Sequence, residues 1–382
     1  MKKKLKQDII KIALLVGTVI SLFFVPWVLV KAWIAPLPDT VQEQVNNAIG
    51  LGLDGIVVYV DEAGKPPEFY AAGWKNKEKR TPADPQELFK IASISKLYIA
   101  AATVKLIYNK QLSLNDTLAK LLPELAARIE NSDQITLRML LQHRSGIPDW
   151  IKSPNFPWDK PPTDVNKVLA LVLDKPADFK PDSRYEYSNT NYLLIGKILD
   201  KTLGYSYQQY IKNEIVAPLG LTHTFGSLSD VNPRDVASGY DSHYDHYNKD
   251  VKMLDFVAPG GSMIATAQDV GIFVKALSDG FRFNKQEQAI YSSVYKYGHT
   301  GLLPGYSSIA RYHKDIDAVV VQFVNTSGGY TWNLSEIVYN RIVKILRRKK
   351  APDLLTSMRQ CGLNGKMRAR TAPDNGFRST SH

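Results

Sequence analysis

"LFKIASISKLYIAAATVKLIY", Leu88 to Tyr108, sets a serine three residues before a lysine at the head of an apolar run. From Ser93 to Tyr108 the apolar residues recur at helical spacing with no Gly or Pro, which predicts a buried helix. Residues i and i+3 share a helix face, so Ser93 and Lys96 come within reach of each other. Ser93 falls in the first turn, where the positive end of the helix dipole favours developing negative charge. Burying an ammonium is costly, and desolvation lowers a lysine pKa from its ordinary value of about 10.4. A buried Lys96 is therefore a base able to activate Ser93. The same spacing also fits a helix cap followed by a lysine that reaches to water. A second pair, Ser293 and Lys296 in "SSVYKYGHTG", reads as a strand. There i and i+3 face opposite ways, so that pair cannot cooperate.

Two distant segments carry further candidates. In "YEYSNTNYLLIG", Tyr187 and Asn189 project the same way from an extended or turning backbone, offering an acid/base group and an amide. Tyr187 can shuttle a proton if positive neighbours lower its pKa from about 10. In "KYGHTGLLPGY", His299-Thr300-Gly301 reads as a strand whose glycine lets a substrate lie against the edge, with His299 able to hold a proton near neutral pH. Each segment alone reads as easily as a loop tyrosine packed on a helix or an ordinary strand end.

Together and in this order, the three segments make the chain resemble the serine penicillin-recognising hydrolases. The branch is the β-lactamase-related one, containing class C β-lactamases, D-alanyl-D-alanine carboxypeptidases and family VIII carboxylesterases. The likeness runs from about Asp54 to Ser327 and includes "ITLRMLLQHRSGIPD", "IVAPLGLTHTF" and "APGGSMIATAQDV". The resemblance implies that Ser93 forms an acyl-enzyme and that Lys96 and Tyr187 share proton transfer. It implies that Asn189 orients Lys96 and binds the acyl-side amide, and that His299, Thr300 and Gly301 face the substrate. Backbone N–H groups of Ser93 and Leu302 would hold the oxyanion. It implies no cofactor and no metal. The expected partner is a small ester, or a D-alanyl peptide or ester of the cell envelope. A non-hydrolysing penicillin-binding sensor and a true β-lactamase are the alternatives.

Three departures bear on these expectations. His299 stands where class C β-lactamases carry lysine, and Leu302 stands where a hydroxyl would help hold a carboxylate. Both argue against a dedicated β-lactamase and towards ester-type acyl groups. Asp182 in "KPDSRYEYSN" replaces a frequent glycine, which puts that turn in doubt. No Gly-x-Ser-x-Gly occurs, so an α/β-hydrolase nucleophile elbow is excluded.

The 382 residues carry a net charge of +11, but it is localised. Residues 1–35 hold +5 and residues 347–382 hold +7, leaving −1 for the globular remainder and no basis for nucleic-acid binding. Five lysines in the first eleven residues precede an uncharged run from Ile12 to Val30. Nineteen residues suffice to cross a bilayer core of about 30 Å. A single transmembrane helix over 1–35, lysines inside and catalytic domain outside the cytoplasm, is expected. Val30 and Ala32 also fit a small-residue cleavage rule, compatible with secretion.

Strand character at both ends with helices between predicts an α+β, β-lactamase/transpeptidase-like fold. A sheet lobe over about 36–110 and 255–348 would flank a helical lobe over about 111–254. The basic tail 349–382, with the only cysteine, Cys361, is expected to lack structure. "DSHYDHYNKD" gathers His243, His246 and three acids but matches no strong metal signature. His143 is expected to make a structural hydrogen bond at a helix end.

Overall fold

A computed structural model describes residues 2–242 and 249–368. Strands β1 (Gly55–Glu62) and β2 (Glu68–Asn76) form the expected hairpin, with Tyr59 opposite Phe69. The other half of the sheet comes from the far end of the chain: β8 (Gly298–Leu303), β9 (Tyr306–His313) and β10 (Ala318–Val324). With the short β3 (Thr81–Pro82) they give a six-stranded order β3-β2-β1-β10-β9-β8. β1 joins the two ends by pairing antiparallel with β10, Tyr59 opposite Val321.

β1 and β10 read as near-continuous apolar runs because helices cover both sheet faces. Ile56, Val58 and Val60 point to one side, against α3 (Val41–Ile49) and the front of α12 (Thr331–Arg368). Val57 and Tyr59 point to the other, against α10 (Ala267–Asp279) and the central helix α4 (Ser95–Tyr108). Gly271 of α10 lies against the Tyr59 ring, where a Cβ would overlap it. Gly271→Ala gains about 1 kcal/mol of helix propensity but overpacks a rigid aromatic contact, which costs about 1–3 kcal/mol. Net destabilisation is expected, read as a lower denaturant midpoint at unchanged slope.

The inserted lobe is built from α5 (Leu118–Leu121), α6 (Leu137–Leu141), α7 (Val165–Leu169), α8 (Asn189–Leu203) and α9 (Tyr207–Ile211). Gly204 closes α8 at φ 75°, the C-terminal signal expected of it. β4 (Phe89–Lys90), β5 (Thr224–Phe225) and β7 (Ile264–Ala265) form a small second sheet. β6 (Tyr240–Asp241) pairs parallel with β11 (Thr326–Ser327).

Three expectations need correction. Tyr291 and Ser293, read as strand, belong to helix α11 (Lys285–Val294), and β8 begins only at Gly298. An Asn284–Glu287 capping box starts that helix, and Tyr291 and Val294 fit helical spacing as well as alternation. Ser293 spends its hydroxyl on the Ile290 carbonyl at 2.7 Å. Second, α12 continues to Arg368, so the tail expected to lack structure is helical as far as that residue. It extends the helix that packs on the sheet through Ile345 and Leu346.

Third, the N-terminal apolar run is not one helix. α1 (Lys2–Phe23) and α2 (Trp27–Ile34) meet at 78°, because Pro26 has no N–H to continue the ladder. No single helix among the described residues is long and apolar enough to cross a membrane; the bent pair meets that requirement together, by length and composition only. α2 itself is tied to the domain: Ala32 is buried, and Arg341 donates to the carbonyls of Ala35 and Pro36 at 2.9 and 2.6 Å.

Candidate active site

Ser93 lies in a single 3-10 turn, Ala92–Ile94, that leads directly into α4. Ala92 sits at φ 50°, an uncommon conformation for a residue with a Cβ, and one that strained sites retain when their surroundings fix it. The surroundings do so here. The Ile91 carbonyl accepts from the Ser308 hydroxyl at 3.0 Å, and the Ala92 carbonyl accepts from the Ser95 hydroxyl at 2.6 Å. Gly301 of β8 packs so close that a Cβ there would come within 2.5 Å of the Ile91 oxygen. The neighbouring Ser95 is thus a structural serine, buried and also accepting from the Met263 N–H at 3.3 Å. Ser93 alone faces the cleft.

The Ser93 oxygen has the partners expected of it. Lys96 Nζ is 3.0 Å away, and the Tyr187 hydroxyl donates to Ser93 Oγ at 2.9 Å. Lys96 is fully buried, and desolvation brings its pKa down to about 7, with Asp149 opposing the shift. Two further contacts fix the amine: it donates to Asn189 Oδ1 at 2.9 Å and to the Gly260 carbonyl at 2.8 Å. A neutral amine has two hydrogens. Both are taken by these acceptors, which leaves the nitrogen lone pair for the Ser93 hydroxyl.

Asp149, which sequence reasoning missed, sets the Asn189 amide. Its carboxylate accepts from Asn189 N at 3.0 Å and from Asn189 Nδ2 at 3.1 Å, so the amide oxygen turns to Lys96. The signal was present at the end of "QHRSGIPD", but an isolated aspartate has no readable role until its partner is known. Gly260 was missed likewise. At φ 85° and with Lys96 Cγ 3.0 Å from a built Cβ, that position accepts no side chain. Asp149→Asn removes the acceptor that orients Asn189 and removes a negative charge facing Lys96. kcat/KM is expected to fall on the order of 10²-fold, with the acid limb of its pH profile moving below about 7. A role confined to folding would lower activity and leave that limb in place.

Tyr187 corrects an expectation. Burial raises its pKa well above the ordinary phenol, so it rests as a neutral donor and is not a tyrosinate. Its ring stacks on His143, centroids 4.3 Å apart. His143 Nδ1 accepts from Ser188 N at 3.2 Å and its carbonyl from Glu186 N at 3.0 Å, holding the chain on both sides of Tyr187. That is the structural role expected of His143, and burial takes its pKa down to about 3. Asp182 solves the turn problem by adopting φ 62° itself, as Asp tolerates, with its carboxylate paired to Arg144.

His299, Thr300, Gly301 and Leu302 lie on β8, the edge strand, and line one cleft of about 370 Å³ with Ser93, Tyr187 and Asn189. The His299 ring is 6.0 Å from that of Tyr187 and parallel to Tyr295 at 5.9 Å. Desolvation, then the nearby Lys96 charge, lowers its pKa to about 4, so His299 is neutral at pH 7, in line with its replacing a permanently charged lysine. Among the described residues no cluster of His, Cys, Asp or Glu is arranged to hold a metal. His243 and His246 lie outside the described residues.

Residues 32–333 match the Beta-lactamase family. The chain belongs to this family. Its members include serine hydrolases that recognise penicillin. Among curated relatives, Protein flp of Staphylococcus aureus is 29% identical over 54% of this chain and 42% of its own length. Penicillin-binding protein 4* of Bacillus subtilis is 26% identical over 66% of this chain and 64% of its own. The chain thus spans about two fifths of the first relative and under two thirds of the second. The D-amino acid amidase of Ochrobactrum anthropi superposes with a TM-score of 0.72 at 22% identity, covering 81% of this chain and 98% of the amidase. The penicillin-binding protein of Bacillus halodurans gives 0.67 at 19%, covering 81% and 99%. These structures establish the β-lactamase/transpeptidase-like α+β fold for this family member.

Proposed function

We propose that this Beta-lactamase family member is a membrane-anchored serine hydrolase working through an acyl-enzyme on Ser93. Its substrates are carboxylic esters, or D-alanyl peptides or esters of the cell envelope, and it acts outside the cytoplasm. The observation that carries this reading is the position of Ser93 Oγ, between a buried Lys96 amine at 3.0 Å and the Tyr187 phenol at 2.9 Å. As Oγ attacks the substrate carbonyl, Lys96 Nζ takes the hydroxyl proton and the oxyanion faces the backbone N–H groups of Ser93 and Leu302. Tyr187 gives its proton to the leaving oxygen or nitrogen, and the Lys96 ammonium restores it. The same pair then takes a proton from the water that hydrolyses the ester.

Three features favour uncharged esters over D-alanyl peptides with their free carboxylate. His299 is neutral near pH 7, Leu302 offers no hydroxyl, and no Arg or Lys is among the described residues lining the cleft. The lysine-rich, apolar start of the chain supports anchoring, with α1 and α2 reaching spanning length and hydropathy only as a bent pair.

The test follows intact mass over time with a short p-nitrophenyl ester, a D-Ala-D-Ala peptide and a β-lactam. A transient adduct that clears fastest with the ester is expected. Faster cleavage of the peptide would reverse the ester preference, and a β-lactam adduct that forms without any turnover would favour a penicillin sensor. No adduct with any of the three rejects the acyl-enzyme.

A further inference from the structure

Beside the catalytic cleft lies a second, larger cavity of about 1000 Å³, at the upper end of ordinary ligand sites. The two are continuous: Trp150, Ile151, Phe256, Leu302 and Leu303 line both. Its walls are largely apolar. Trp158 and Phe256 face each other at 6.1 Å on one side, and Met253 and Leu254 complete it on another. The Leu254 carbonyl is pinned from below by Lys90 Nζ at 2.6 Å. The charged residues Asp159, Asp241, Lys249 and Asp250 also line the cavity; of these Asp241 accepts from Ser327 Oγ, and Asp250 accepts from Ser238 Oγ at 2.6 Å and Gly239 N at 3.2 Å.

The direction of the chamber relative to the reacting carbonyl follows from β8. Gly301 abuts the turn that carries Ser93, which fixes where a scissile carbonyl lies on the strand. Tyr187 and His299 stand together towards the start of β8, so the leaving group points there. The acyl half then runs the other way, along Leu302, Leu303 and Pro304, into the chamber.

We infer that the chamber is an acyl subsite for a long aliphatic chain, so that the preferred substrates are esters of medium- to long-chain carboxylic acids. This rests on the acyl-enzyme reading above and specifies the substrate class of that same site. A lipid-phase acyl group also suits a catalytic domain that follows the apolar α1.

The experiment measures kcat/KM of the full chain for p-nitrophenyl acetate, octanoate and phenylacetate, each below its micelle concentration. The octanoate-to-acetate ratio is expected to reach about tenfold or more, since each buried methylene contributes to transition-state binding. Met253→Asp places a charge on the apolar wall at a position 63% exposed, where folding tolerates it. The ratio should fall towards one. A wild-type ratio at or below one, an unchanged ratio in Met253→Asp, or phenylacetate preferred over octanoate would overturn the aliphatic subsite. Failure of the underlying reading looks different: no ester of any length labels Ser93.

Discussion

Ser93→Ala leaves a folded protein that forms no covalent adduct with ester, D-alanyl peptide or β-lactam, and its turnover falls by about 10⁴-fold or more. Among the described residues of the cleft, this hydroxyl alone has both an amine and a phenol on it, at 3.0 and 2.9 Å. Its loss removes the covalent route and not merely one donor. Stability should hold or rise, because a half-buried polar atom is deleted from a site arranged for chemistry. The measurement is intact mass beside thermal unfolding. Adduct on the variant would send the nucleophile elsewhere. The adjacent Ser95 is a poor substitute, since its hydroxyl is held by the Ala92 carbonyl and the Met263 N–H.

Lys96→Met should lower kcat by about 10²–10⁴-fold, the usual worth of a positioned base. In the unaltered protein, kcat/KM should rise tenfold per pH unit below about 7 and level off above it, as the buried amine loses its proton. No descending limb from Tyr187 is expected below pH 10, because burial moves that phenol upwards. Stability carries the same signature. The folded state releases the Lys96 proton near pH 7, whereas the unfolded chain keeps it to about 10.4. Between those values the unfolded state binds more protons, so this group's contribution to stability grows with pH. The stability gap between the two proteins should therefore move in favour of the unaltered one from pH 7 to 10. A gap flat in pH, with a rate limb still near 7 in the variant, would mean that another group is the base.

Much of the site was legible because its members sit in segments with strong local character. The spacing of Ser93 and Lys96 brings them together even though Ser93 lies in the 3-10 turn just before α4, and the Gly-containing edge strand at 298–303 announces itself by sheet chemistry. The sheet built from both chain ends followed from apolar runs at 55–60 and 318–324. What escaped depends on distant partners. Asp149 matters only through the Asn189 amide, and Gly260 only through the Lys96 stem that fills its place. The protonation states escaped for the same reason, since burial decides them: it moved Tyr187 up and His299 down, against the roles their types suggest. The helix over 285–294 was misjudged where two periodicities fit equally well, and the bend at Pro26 because an uncharged run does not register the N–H that proline lacks.

The pairing of β1 with β10 has a temporal side. Ile56 is made early by the ribosome, but its neighbour Val324 arrives 268 residues later, and the β8–β9 hairpin has only β10 to link it to β1. Closing so long a loop is slow and cooperative. The reactive alcohol and its amine exist well before the strand that forms the opposite wall of their cleft. A nascent or prematurely terminated chain lacking its last strands therefore has Ser93 and Lys96 without the β8 wall of their cleft.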